Sequence, residues 1–333
     1  MDISKNINEK IKALPKEIVS DGIKAVLMHI EIAEKHYQRG KVEHDSNLFT
    51  DVIYRTNHAF EGILKEAYIT IEKKDATKVS PYEIEDYLSK NSVFKERVME
   101  LFTNYRKNWR NPSTHEYSLF FTEQEAFLAI VTVSAFTSIL IDQIVEKLTY
   151  EIEKRRSEVR AKNIQDSIEN YSQLSSIDKV AIILKEFSEH IQTDIQNFYE
   201  RSDAEMVGIL TAFFSNAEPK IQFNIEPVFS VGPSTIRPDM VLKLGNEDII
   251  LEVIQSRIYP EHEFLEHDLH TTQLKKLMKV TKKKYGILYY LPLKKDDQIM
   301  ISRISTLNIR SVYPMDKGTY EMLEHDAEIY GNE

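Results

Sequence analysis

The chain has no cysteine in 333 residues, which excludes disulfides and thiolate metal sites. Positive charge is also scarce: 43 Lys and Arg stand against 53 Asp and Glu, a net charge of −10. That balance argues against a large passive nucleic-acid-binding surface, although it leaves room for a small basic cleft. Long apolar runs are missing too. The most apolar stretch, Ala126 to Ile141, falls short of the ~20 residues a bilayer requires and is interrupted by Thr132, Ser134, Thr137 and Ser138. It is expected to be a buried helix, with no membrane partner. The start, Met1-Asp2-Ile3-Ser4-Lys5, shows no signal-peptide core, so a cytoplasmic location is expected. There is no internal repeat and no low-complexity tract. The single tryptophan, Trp109, reads as core.

What is present divides in two. The length favours two domains, and 42% hydrophobic residues suffice for sizeable cores. Apolar residues recur at helical spacing over 17–38, 46–73 and 93–109, with a shorter helix over 81–89 after Ser80-Pro81. Pro112 should end the third long helix near Asn111, because proline disfavours helix at the residue before it. Thr122-Glu123-Gln124-Glu125 is a capping box that opens a helix running to about 148. After Pro219 the period changes from 3.6 to 2. Strands are expected over 220–231 (bent at Pro227), 238–244, 248–255 and 285–291, with further ones near 299–304 and 309–313. A helix over 268–284 connects the third to the fourth. The expected fold class is therefore α + α/β. An all-helical bundle spans 1–150, a charged helical linker 151–176, a mixed sheet flanked by helices 177–315 and an acidic tail 316–333.

Two clusters carry chemistry. The first is Arg110-Asn111-Pro112-Ser113-Thr114-His115-Glu116-Tyr117, between two helical segments. Arginine stays charged and its planar fork suits phosphate oxygens. Asn111 can donate to the same phosphate, and histidine titrates near neutral pH as general base or acid. RNA carries its own nucleophile, the 2′-OH, so these groups can cut it without a metal. Arg106, Lys107 and Tyr117 lie close enough in sequence to hold the nucleic acid. With these residues in this place, the helical half resembles the HEPN superfamily of α-helical ribonucleases and nucleotide-binding domains. The resemblance implies catalysis by Arg110, Asn111 and His115, with Glu61 as the acidic partner from an earlier helix. It implies no cofactor, an RNA substrate and a homodimer that joins two motifs in one cleft; whether a partner protein neutralises it stays open.

The second cluster is Arg237-Pro238-Asp239 followed by Glu252 within Ile250-Leu251-Glu252-Val253-Ile254. Two carboxylates on adjacent strands can hold Mg²⁺ through oxygen, and Glu205 or Glu226 offers a third. A carboxylate inside so apolar a run is costly unless paired or metal-bound. This half resembles the PD-(D/E)XK nuclease fold, with Asp239 and Glu252 as the metal-binding acids and Mg²⁺ and DNA as the implied cofactor and substrate. The lysine of that motif is missing: its position is Ile254, and Gln255 points to the other face of a regular strand. Lys275, Lys276 or Lys279 on the next helix is the expected replacement or nucleic-acid contact. Without one, the domain would bind without cutting. His262, His267 and His270 form no complete four-ligand zinc set and read as a solvated stretch. The two resemblances together imply a prokaryotic defence or toxin-like protein, with the helical half as endoribonuclease. In the alternative the C-terminal half is a Mg²⁺-dependent DNase and the helical half a dimerisation module, or neither half cuts.

Overall fold

The computed structural model describes residues 5, 7–10, 20–90, 96–115, 118–232, 234–255, 264–304 and 308–322. The chain divides into two compact units, Met1–Thr149 and Tyr150–Glu333.

The first unit is helical. Its elements are α1 (Asp21–Glu43), α2 (Asn47–Glu72), α3 (Pro81–Lys90), α4 (Glu96–Tyr105), a π-helical turn (Arg106–Arg110), α5 (Asn111–His115) and α6 (Glu123–Arg156). Ser20 caps α1 by accepting from the Ile23 N–H at 3.0 Å. The capping box at α6 forms as expected, with the Thr122 N–H donating to Glu125 Oε2 at 2.8 Å. The apolar stripe of α2 (Ile53, Phe60, Ile63, Leu64) is buried. Phe60 packs against Phe102 and Phe136, whose own rings meet edge to face at 4.0 Å. Among the described residues α6 alone is long and apolar enough to cross a membrane, yet 56% of its most apolar window is buried, as in a core helix.

The second unit begins before the sheet. Residues 151–176, read from sequence as a linker, form the end of α6, then α7 (Glu158–Ser167) and a 3₁₀ turn (Tyr171–Gln173). Ala161, Ile164 and Tyr171 belong to this unit's hydrophobic core. The apolar side chains are spaced widely among charges, which hid this burial in the sequence. Next come α8 (Ser176–Gln192), α9 (Ile195–Tyr199) and α10 (Asp203–Ala217).

The strands follow: β1 (Gln222–Ile225), β2 (Phe229–Val231), β3 (Ser234–Ile236), β4 (Met240–Leu244) and β5 (Glu247–Ile254). The helix α11 (Phe264–Thr281) then leads to β6 (Tyr285–Tyr290), β7 (Gln298–Arg303) and β8 (Ile309–Met315). Six strands form one mixed sheet in the order β1-β4-β5-β6-β8-β7, and β2-β3 form a separate ribbon. The single bent strand expected over 220–231 is thus two strands in two sheets. Glu226 takes the left-handed conformation at φ 44° just before Pro227, which has no N–H to donate, so the ladder cannot continue.

One face of the large sheet (Leu242, Ile249, Leu251, Ile287, Tyr289) packs with α8 and α10 residues. The other (Val241, Ile250, Leu288, Tyr290) packs with Leu274 of α11. α11 lies close at Gly286, where an added Cβ would come within 2.8 Å of Met278 Sδ.

Arg310 of β8 is locked to Asp178 of α8 at 2.7 Å, with side chains 4% and 24% exposed. Burial raises the Asp178 carboxyl, but Ser175 and Arg310 outweigh it and hold the group below the ordinary value. The stability from this pair is therefore present above about pH 4 and lost as pH falls. Removing the acid takes the paired carboxylate from a buried guanidinium, so Asp178→Ala should cost about 3 kcal/mol in a urea titration near pH 7.

Candidate functional site

The first cluster sits on a backbone that the sequence misjudges. No break precedes Pro112. The π-helical turn Arg106–Arg110 runs directly into α5, and the Asn111 N–H donates to the Arg106 carbonyl five residues back. In a regular α-helix the proline ring meets the carbonyl four residues earlier. The wider turn carries the chain past that clash, and Pro112 then occupies an early helical position, where its missing N–H costs nothing. Such turns occur often at functional sites.

A buried polar chain fixes this turn on α2. The Tyr105 hydroxyl lies 2.7 Å from Thr56 Oγ1 and 3.0 Å from Asn57 Oδ1. Asn57 Nδ2 donates to Ser113 Oγ at 2.7 Å, and the Ser113 hydroxyl donates to the Arg110 carbonyl at 3.0 Å. Burial pushes the Tyr105 phenol far up, so it stays a neutral donor. One turn along α2 from Asn57, Glu61 Oε1 accepts from Arg110 Nε at 2.9 Å, with the two side chains 31% and 24% exposed. Arg110 Nη1 lies 3.3 Å from Asn111 Oδ1. The structure thus joins Glu61, Arg110 and Asn111. His115 ends α5 and is exposed. Five residues separate it from Arg110, on a regular helix a rise of about 7.5 Å and about 140° beyond one full turn, so the two groups face different sides of the segment within one copy.

The expected nucleic-acid contacts fare differently. Lys107 is exposed. Arg106 is committed internally: its Nε lies 2.5 Å from Glu85 Oε2, and its guanidinium sits 5.2 Å from the centre of the Tyr82 ring. With both members of the pair nearly buried, Arg106 braces the π-helical turn against α3 and does not face a substrate. Tyr117 lies outside the described residues. Trp109 stacks on Tyr105 at 5.5 Å.

The second cluster is also brought together. The turn at Gly245-Asn246 sets the β4–β5 register, with Leu244 opposite Glu247 and Met240 opposite Leu251, and one further step places Asp239 opposite Glu252. The Asp239 N–H donates to Glu252 Oε1 at 3.2 Å, and the Val253 N–H donates to Asp239 Oδ2 at 2.8 Å. Glu226 comes to the same end of the sheet, where its N–H donates to the Asp239 carbonyl at 2.7 Å and its carboxylate lies 3.6 Å from Arg237. Burial and the charge of Asp239 push Glu252 up to about 7. Asp239 keeps an exposed edge, yet the surrounding protein withholds enough water to raise its pKa, with Glu226 adding to the effect and the Val253 hydrogen bond opposing it.

Among the described residues no lysine or arginine pairs with Asp239 or Glu252. Gln255 is exposed just beyond β5, and Lys275, Lys276 and Lys279 are exposed on α11, without an ion pair to either acid. Glu205 is spent in a capping box with Ser202. His270 of α11 hydrogen-bonds Tyr290 at 3.2 Å. Tyr290 stands beside Ile254 in the register, so this pair shares the sheet face that carries Glu252. That pairing is hidden in the sequence, because it depends on how α11 lies on β6. His262 lies outside the described residues. No group of three or more metal-ligating side chains occurs among those described. Two carboxylates still fit Mg²⁺, which commonly takes one or two protein oxygens plus water and phosphate.

No family model matches the chain, and no curated protein or solved structure matches it either.

Proposed function

We propose that the helical unit is a metal-independent endoribonuclease of the HEPN kind, acting within a prokaryotic defence or toxin-like system. The observation that carries this reading is the ion pair of Arg110 with Glu61 beside Asn111, on a π-helical turn that runs into α5, whose last residue is the exposed His115. Glu61 engages Nε and so holds the guanidinium in one orientation, leaving it to grip a phosphate. His115 takes the proton from the ribose 2′-OH. The 2′-oxygen then bonds to phosphorus and the bond from phosphorus to the 5′-oxygen breaks. The leaving oxygen takes a proton from water or from the imidazolium of a second copy. Arg110 and Asn111 stabilise the extra charge on the phosphorane. Because Arg110 and His115 diverge within one copy, a homodimer that sets one protomer's His115 beside its partner's Arg110 fits this chemistry best.

The chemistry predicts two properties of the products. Every cut end carries a 2′,3′-cyclic phosphate and every downstream fragment a 5′-hydroxyl. An oligonucleotide with a 2′-deoxy sugar at the cleavage position should resist. Mass spectrometry of the fragments checks both, and 3′-hydroxyl ends or cleavage of all-deoxy substrate would overturn the reading.

The acidic cluster supports a second reading for the other unit, which we place as a restriction-endonuclease-like module. Asp239 and Glu252 would hold Mg²⁺, which supplies Lewis-acid chemistry at a DNA phosphate when bound. The register that sets the two acids opposite each other favours this reading. The lack of a lysine favours recognition of nucleic acid without cutting, or regulation of the ribonuclease.

A further inference from the structure

We infer that Tyr54 is a base-stacking residue of the RNA site centred on Arg110 and His115, an inference that rests on the ribonuclease reading above. The connector after Arg110 runs along one stripe of α2 and touches it at three levels. Arg110 meets Glu61, Ser113 meets Asn57, and the Phe121 N–H donates to Thr50 Oγ1 at 3.3 Å. Residues 50, 54, 57 and 61 follow the spacing of neighbours on one helix face. Tyr54 therefore occupies the level between Asn57 and Thr50, about 5 to 6 Å of rise from each. His115 follows Ser113 by two residues and ends α5.

Tyr54 is 46% exposed and makes no hydrogen bond or ring contact among the described residues. Other tyrosines of this unit are engaged. Tyr37 packs on Phe49 and Phe127, Tyr68 on Tyr87, and Tyr82 lies under Arg106. A free aromatic ring on the same α2 stripe as the Arg110–Glu61 pair, about two helical turns from it, can hold an unpaired base, because every base has a π-face. The ligand class is thus single-stranded RNA, with one nucleotide beside the scissile phosphate unstacked onto Tyr54. Tyr54 does not touch the reacting atoms in this scheme, so it positions the substrate.

The test is binding of a fluorescein-labelled oligoadenylate, followed by anisotropy, to full-length protein carrying His115→Ala so that no cutting intervenes. Adding Tyr54→Ala should weaken binding about tenfold, and adding Tyr54→Phe, which keeps the ring, should leave it nearly unchanged, with equal thermal midpoints for all three proteins. In the cleaving background Tyr54→Ala should raise KM more than it lowers kcat. Equal binding by the alanine variant would overturn the inference, as would an equal loss in the phenylalanine variant or no binding by the protein that retains Tyr54. Failure of the ribonuclease reading is seen separately, as intact RNA in the wild-type reaction while the binding differences persist.

Discussion

Arg110→Ala should lower RNA cleavage by about 10³-fold, the usual scale for deleting a preorganised charge from a phosphoryl-transfer site. The guanidinium is held at one end by Glu61 at 2.9 Å, so its cost of orientation is already met when RNA arrives. Arg110→Lys keeps the charge but loses the planar fork and should recover only part of the rate. Glu61→Gln removes the charge of the anchor while keeping its shape, and should cost about tenfold. Single-turnover cleavage at saturating RNA separates these cases, because each is a loss of rate rather than of binding. The fold should survive all three, since the Asn57–Ser113 and Tyr105–Asn57 hydrogen bonds anchor the turn independently. A wild-type rate in Arg110→Ala would remove Arg110 from the mechanism.

The second large effect concerns the acidic cluster. Glu252 is raised to about 7 by burial and by Asp239, against roughly 4.3 in an unfolded chain. A carboxyl with a raised folded pKa favours the native state below its unfolded pKa, and that advantage is lost as pH rises toward 7. Stability should therefore decline between about pH 4.5 and pH 7 from this group. Glu252→Gln, which cannot ionise, should flatten the decline and make the protein more stable at pH 8 by about 1–3 kcal/mol. Urea titrations across that range check the sign. Mg²⁺ in millimolar excess should stabilise the wild type at pH 8, and EDTA should reverse the gain, if Asp239 and Glu252 hold the ion. A variant less stable than wild type at pH 8 would show that Glu252 is satisfied as a charge.

The two clusters were unequally legible in the sequence. The pairing of Asp239 with Glu252 could be read by counting, because the tight turn at Gly245-Asn246 fixes the register of the strands on either side. That Glu252 shares a face with Tyr290 and His270 could not, since a parallel register depends on where α11 returns the chain. Glu61 was reachable only through family resemblance: many acids dot the helices, and nothing local marks the one that meets Arg110. Asn57, Ser113 and Tyr54 went unnoticed because their meaning depends on which stripe of α2 the connector follows. The continuous backbone through Pro112 was also hidden. A π turn differs from an α turn by a single residue of hydrogen-bond span, and proline's strong local preference points the other way. The change of period after Pro219 was plain, but the break at Glu226–Pro227 divided one expected strand between two sheets.

Arg110 and His115 are proposed to cut RNA without a metal. The direct measurement is cleavage of a mixed single-stranded RNA pool by the purified protein in excess EDTA, beside His115→Ala at the same concentration. The wild type should cut, and the variant should be slower by about 10²- to 10⁴-fold, the usual contribution of a positioned proton-transfer group. Equal cutting by both proteins, or cutting that appears only when Mg²⁺ is restored, would contradict it.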